Sequence, residues 1–190
     1  MAKTTANTKS KLLKAASQVV RSRGASQLTL EAVAKEARVS KGGLLYHYRS
    51  KRALIEGMIA HLLASFEKDI ENQTKSNEDR SAWLEAYVKL SFDPHLSHLE
   101  ESAALVAAIA NDPELLVPIQ EQYLAWQEAT EASGLDPAIA TIVRLAADGL
   151  WFNELFDLSP LTAERRAEVL ETLLKIIKES QNDRQDCAES

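Results

Sequence analysis

Residues 29–48 read TLEAVAKEARVSKGGLLYHY, and the order of residue types in this stretch decides the fold class. Leu30, Val33, Ala34 and Ala37 recur at the three- and four-residue spacing of a helix that buries one face. Thr29 stands immediately before them, where a hydroxyl can cap a helix spanning 30–37. Arg38, Val39 and Ser40 form a tight connection, and Ser40 caps a second short helix expected over 41–47. Outward from this pair, a helix over 8–24 carries the stripe Leu12, Leu13, Ala16, Val19 and Val20 and stops at Gly24. On the other side, Leu54, Ile55, Met58, Leu62, Phe66 and Ile70 define a longer helix from Lys51 to about Thr74. Two short helices joined by three residues and flanked by longer ones are what a helix-turn-helix requires.

The second short helix has the chemistry of a DNA reader. Ser40 and the free amides at the helix start suit a phosphate oxygen. Lys41 adds a cation at the first helical position, and Tyr46 and His47 offer donors to base edges or phosphates. Gly42 and Gly43 present no side chain, which lets the backbone approach a duplex closely. Each costs about 1 kcal/mol relative to alanine inside a helix, so the pair calls for an explanation of this kind. Lys51 begins the next helix with a further charge.

Charge distribution points the same way. The net charge is −6, but residues 1–61 hold twelve Lys/Arg against three acids, a net of +9. Residues 62–190 hold ten basic and twenty-five acidic residues, a net of −15. A basic piece that meets a polyanion and an acidic piece that does not is the simplest account. With 45% hydrophobic and 26% charged residues the chain has the composition of a globular protein. The N-terminal MAKTTANTKSK lacks the apolar core of a secretory signal, and the longest apolar run, residues 103–110, is eight residues against the roughly 20 that a spanning helix needs. The single cysteine, Cys187, lies in a polar tail. Together these predict a cytoplasmic location with no membrane partner.

The segment TLEAVAKEARVSKGGLLYHYRSKRALIEGMI, residues 29–59, resembles the signature of the TetR (tetracycline-repressor) family, and the likeness extends over about residues 8–62. The resemblance implies an all-α homodimer with a three-helix N-terminal helix-turn-helix DNA-binding domain, here 1–61. It also implies a larger helical ligand-binding and dimerisation domain, here 62–190, with ligand binding usually releasing a palindromic operator. Carried over by position, Thr29, Ser40, Lys41, Gly42, Gly43, Tyr46, His47 and Lys51 correspond to DNA contacts, and Leu44 and Tyr48 to anchors in the small core. Three positions depart from the pattern. Arg38 stands where a turn glycine is usual, a position that tends to need positive φ. The strain there is of order 1 kcal/mol, unless the turn is rebuilt or the guanidinium pairs with a phosphate. Leu45 replaces a common aromatic and suits a thymine methyl, and Gly43 replaces a small hydroxyl or amide.

Beyond the polar loop at 75–80, helices are expected over 81–92, 96–110, 113–133, 136–157 and 161–180, about nine in all. Their boundaries are marked by Pro94, Pro113, residues 134–137 and Ser159-Pro160, and residues 181–190 read as a frayed tail. The last two helices carry Ile139, Ile142, Val143, Ala146 and Leu150, then Val169, Leu170, Leu173, Leu174, Ile176 and Ile177. In the TetR family these helices usually pair with their symmetry mates, so a homodimer through them is the expectation; intramolecular core is the alternative. Phe66, Trp83, Tyr87, Trp126, Phe152 and Asn153 are the candidate ligand-binding residues for an unknown, largely apolar effector, with ordinary core as the competing reading. His95 and His98, followed by Glu101, have a spacing compatible with a metal, but Asp93-Pro94 makes this a helix start with surface histidines. No metal and no cofactor are expected. No nucleophile elbow, phosphate loop or dinucleotide fingerprint is present, so an enzyme is not expected. An adaptor that has lost DNA binding is disfavoured by Ser40, Lys41, Tyr46, His47 and Lys51.

Overall fold

The computed structural model describes residues 2–77, 79–93 and 99–188, and among them it contains α-helices, two short 3-10 turns and no strand. The helices are α1 (Ala2–Arg23), α2 (Leu30–Glu36), α3 (Lys41–His47), α4 (Lys51–Thr74) and α5 (Ala82–Ser91). They continue with α6 (Leu99–Asn111), α7 (Val117–Glu131), α8 (Pro137–Leu155) and α9 (Ala163–Ala188). The fold class is therefore all-α, as the periodicity predicts. Two expectations are corrected. The single helix over 113–133 is split, because Pro113–Leu116 form a 3-10 turn before α7 begins. The tail expected to fray is helical to Ala188, and Gln181 helps to hold it by donating from Nε2 to Asp79 Oδ1 and Ser81 Oγ, both at 2.7 Å. His95 and His98 lie outside the described residues. The side chains of Glu101 and Cys187 are not described.

The chain forms two compact units, Met1–Ala64 with His98–Gln120, and Ser65–Ser97 with Glu121–Ser190. In the first, α1 packs on α2, and α2 on α3. Leu12, Ala16 and Val19 from α1, Val33 from α2, Leu44 from α3 and Leu54 from α4 are fully buried in one core. Leu105 of α6 and Leu115 of the 3-10 turn are buried in that same core, so the chain returns to this unit after leaving it along α4. Local signals set the boundaries. Gly24 takes φ +83 after α1 and so provides its left-handed stop.

In the second unit α5 packs against α8 and α9. Asp136 caps α8 by accepting from the amides of Ala138 and Ile139, with Pro137 at the first position. The inward face of α8 holds Ala140, Val143, Ala147 and Leu150 together with Arg144 and Asp148, whereas Ile142 and Ala146 of the expected stripe are exposed. The buried Arg144 donates to Asp148 Oδ2 at 2.6 Å and to Gln127 Oε1 at 3.0 Å, while Tyr87 donates to Asp148 Oδ1 at 2.5 Å. Burial pushes the Asp148 carboxyl above the usual range, against the pull of the Tyr87 hydroxyl and the Arg144 charge. A buried pair of this kind need not add net stability, but removing one partner strands the other.

Arg144→Met is therefore expected to cost about 3 kcal/mol, and Arg144→Met with Asp148→Leu to recover most of it. With Arg144 gone, the folded Asp148 stays protonated to a higher pH than the unfolded one. The loss in the single variant thus grows as pH rises above the unfolded carboxylate pKa of about 4. Chemical denaturation at acidic and neutral pH checks both outcomes.

Candidate nucleic-acid interface

The two caps named from the sequence form as expected. Thr29 Oγ1 accepts from the Ala32 amide at 3.1 Å at the start of α2, and Ser40 Oγ accepts from the Gly43 amide at 3.0 Å at the start of α3. Each satisfies one of the amides that a helix start leaves without a partner. Between them Arg38 has φ 52, the left-handed conformation that its position predicts, and its side chain is exposed. The turn has not been rebuilt to relieve an arginine; it keeps the geometry and carries the strain.

Leu44 is fully buried and Tyr48 is 7% exposed, so α3 is fastened from one side. The opposite side is presented outward. Tyr46 is 79% exposed, with its ring edge-on to His47 at 5.0 Å between centroids. Lys41, Gly42 and Lys51 are exposed as well, while Leu45 and His47 are half-buried. The two glycines differ. A Cβ at Gly43 would stand 3.2 Å from Ser40 Oγ and crowd the cap, so Gly43 has an internal reason. A Cβ at Gly42 would meet nothing closer than Ser40 Oγ at 4.0 Å. Its missing side chain has no packing purpose and leaves open surface.

Three further residues shape this surface and were not singled out from the sequence. Glu31 pairs with Lys41, Nζ to Oε1 at 2.5 Å. Arg52, next to Lys51, is engaged by Glu56 at 3.0 Å, Asp112 at 3.1 Å and Glu114 at 2.7 Å, and these partners push its pKa up further. Gly57 in α4 receives the Tyr48 ring so closely that a Cβ there would lie 2.5 Å from Tyr48 Cε1. Gly57 gave one signal, a glycine inside a helix, and Arg52–Glu56 is an ordinary i,i+4 pair. The pairs of Lys41 with Glu31 and of Arg52 with Asp112 and Glu114 join residues ten or more positions apart.

In the second unit, four of the six candidate ligand residues come together. Phe66, Tyr87 and Trp126 meet edge-on at 5.4–5.5 Å, and Trp83 stacks on Tyr87 at 5.2 Å. Tyr123 joins them at 5.0 Å from Trp126, and burial raises its pKa to about 12. Trp126 Nε1 donates to Glu67 Oε2 at 2.7 Å. Phe152 instead makes its ring contacts with Trp151 and Phe156 and is 47% exposed. Asn153 Oδ1 accepts from the Ser159 amide at 2.8 Å and closes the end of α8.

Two family models match the chain. Residues 12–58 match bacterial regulatory proteins of the tetR family, and residues 81–178 match the tetracyclin repressor-like C-terminal domain. The chain belongs to the TetR family. A TetR-family regulator is a DNA-binding transcription factor, and the helix-turn-helix of α2 and α3 is its DNA-binding element. Among solved structures, a putative TetR-family transcriptional regulator from Rhodococcus sp. is 20% identical with a TM-score of 0.70, the match covering 92% of this chain and 99% of that one. A putative transcriptional regulator from Pseudomonas aeruginosa PAO1 is 17% identical with a TM-score of 0.70, covering 93% and 92%. The multidrug binding protein EbrR complexed with ethidium is 21% identical with a TM-score of 0.64, covering 87% and 97%. At these identities the likeness is one of fold. No curated protein matches.

For this TetR-family protein, Gly57→Ala tests how α3 is fastened. The gain in helix propensity is about 1 kcal/mol, and overpacking against the Tyr48 ring costs about 1–3 kcal/mol. Gly57→Ala is expected to lower stability, by up to about 2 kcal/mol, and to weaken DNA binding in parallel, read by thermal melting and fluorescence anisotropy.

Proposed function

We propose that the protein is a ligand-responsive repressor. As a homodimer it holds a palindromic operator through α3 and releases it when a small, largely apolar molecule binds in the C-terminal domain. The observation that carries this is the outward face of α3, where Lys41, Gly42 and Tyr46 stand exposed while Leu44 and Tyr48 anchor the opposite side. An exposed tyrosine beside a bare backbone on a capped helix is suited to a major groove. Arg38 and Lys51 add cations for which no ion-pair partner exists among the described residues, and Thr29, Ser40, Gly43, Leu45 and His47 complete the proposed contact set.

The homodimer reading rests on α8. Ile142, Leu145, Phe152 and Phe156 stand three, seven and four residues apart, the spacing of one helical face, and are 59%, 53%, 47% and 50% exposed. Four large apolar side chains exposed on one helical face suit an interface, and a two-fold copy covers them with itself while spacing two reader helices about 34 Å apart. The effector reading rests on the cluster of Phe66, Trp83, Tyr87 and Trp126, to which a flat apolar molecule is complementary. EbrR, with ethidium bound, is a relative in fold that holds an aromatic ligand. Phe152 belongs to the exposed stripe and Asn153 closes the end of α8, so the effector proposal is carried by the other four residues.

Duplex DNA from the region flanking the gene is expected to bind in preference to scrambled sequence, with a steep salt dependence. Tyr46→Ala should weaken binding by about 1–3 kcal/mol, and Lys51→Ala should reduce the salt slope by about one per protomer. Neither should shift the melting temperature appreciably, since both side chains are exposed. Equal affinity for scrambled DNA would sink the reading. Separately, Ile142→Glu with Leu145→Glu is expected to turn a sedimenting dimer into a folded monomer.

A further inference from the structure

Lys41 is the first residue of α3, where a cation meets a phosphate most directly, yet its charge is already taken. Glu31, in the first turn of α2, reaches across so that its Oε1 lies 2.5 Å from Lys41 Nζ, with side chains 64% and 59% exposed respectively. The Lys41 hydrogen bond, a backbone hydrogen bond and the Lys41 charge together hold the Glu31 carboxyl below the usual range, so Glu31 is ionised at neutral pH. Other charges nearby do not compete for it. Glu36, the second acid of α2, faces Arg23 at 3.8 Å, and Arg52 is engaged by Glu56, Asp112 and Glu114.

We infer that Glu31 is a built-in counter-ion that competes with DNA phosphate for Lys41 and so tempers binding to any duplex. The inference rests on the reading of α3 as the DNA-contacting helix. Phosphate contacts supply the sequence-independent part of affinity, and each contributes by displacing counter-ions from DNA. A lysine neutralised from within displaces little until its carboxylate lets go. Both side chains are exposed, so the exchange needs no rearrangement of the core. A phosphate approaching Lys41 also brings negative charge towards Glu31, which weakens binding further. The effect falls on operator and bulk DNA alike and keeps the protein from being held on bulk DNA by charge alone.

Glu31→Gln preserves size and hydrogen-bonding capacity while removing the charge. Binding of a mixed-sequence duplex of roughly 30 base pairs, long enough for two half-sites one turn apart, is followed by fluorescence anisotropy across a salt series. Glu31→Gln is expected to tighten binding about two- to five-fold at moderate salt, the range set by exposed ion pairs. It should also steepen the slope of log K against log salt by about 0.9 per protomer, or about 1.8 for a dimer on two half-sites. In a Lys41→Met background the same substitution should change the slope by less than half as much. An unchanged slope, or weaker binding, would overturn the inference and leave Glu31 as a residue that merely positions Lys41. Equal steepening in the Lys41→Met background would also overturn it, because Glu31 would then act by repelling phosphate directly. Wild-type protein that binds no duplex defeats the DNA reading itself, a result distinct from either. Helicity and melting temperature of each variant control for folding.

Discussion

A seven-residue helix has almost no stability of its own, because the nucleus costs more than so few hydrogen bonds return. Helix α3 therefore exists only as far as its neighbours hold it. Ser40 closes its start, Leu44 inserts into the core of α1, α2 and α4, and Tyr48 lays its ring on the bare backbone of Gly57. That fastening occupies one side and leaves Lys41, Gly42 and Tyr46 pointing away from the protein. The outward side is thus the by-product of how the other side is anchored, and two glycines in seven residues are tolerated because tertiary contacts, not propensity, hold the helix. Placing Leu105 and Leu115 in the same core adds apolar surface that a three-helix unit of this size would otherwise lack.

Charge obeys a similar division between what is present and what is free. The +9 of residues 1–61 overstates the field that DNA would meet. Arg52 is enclosed by three carboxylates and Lys41 is paired with Glu31, so part of the basic count is used inside the protein. In the second unit two charged residues, Arg144 and Asp148, are buried instead. Arg144, Asp148 and Tyr87 form a buried network with Gln127, all of it hydrogen-bonded, beside a group of five aromatic rings. Buried networks of this type set which way a helix faces, since each polar atom must find its partner.

Helix α8 shows the consequence. It is apolar nearly all round, with Ile139, Ile142, Val143, Leu145, Leu150 and Phe152 on different faces. The sequence stripe chosen by periodicity mixes two of those faces. The structure resolves them: Ala140, Val143, Ala147 and Leu150 go inward with Arg144 and Asp148, and Ile142, Leu145, Phe152 and Phe156 stay outside. Two polar residues, which in isolation look like solvated helix positions, fix the rotation by demanding Tyr87 and Gln127 as partners.

The sequence by itself determined the all-α class, the helix starts at Thr29, Ser40 and Asp136, the stop at Gly24 and the left-handed turn at Arg38. Each of these depends on atoms within four residues of one another, through capping bonds or the sterics of one φ angle. The TetR family was legible for the same reason, since its motif is a dense local pattern. Only the tertiary structure decided which face of α8 is buried, that α6 joins the N-terminal core, that α9 runs on to Ala188, and that Glu31 holds Lys41. Those outcomes depend on side chains brought together from ten to a hundred residues apart, and a periodic pattern carries no information about which distant partner a polar group will meet.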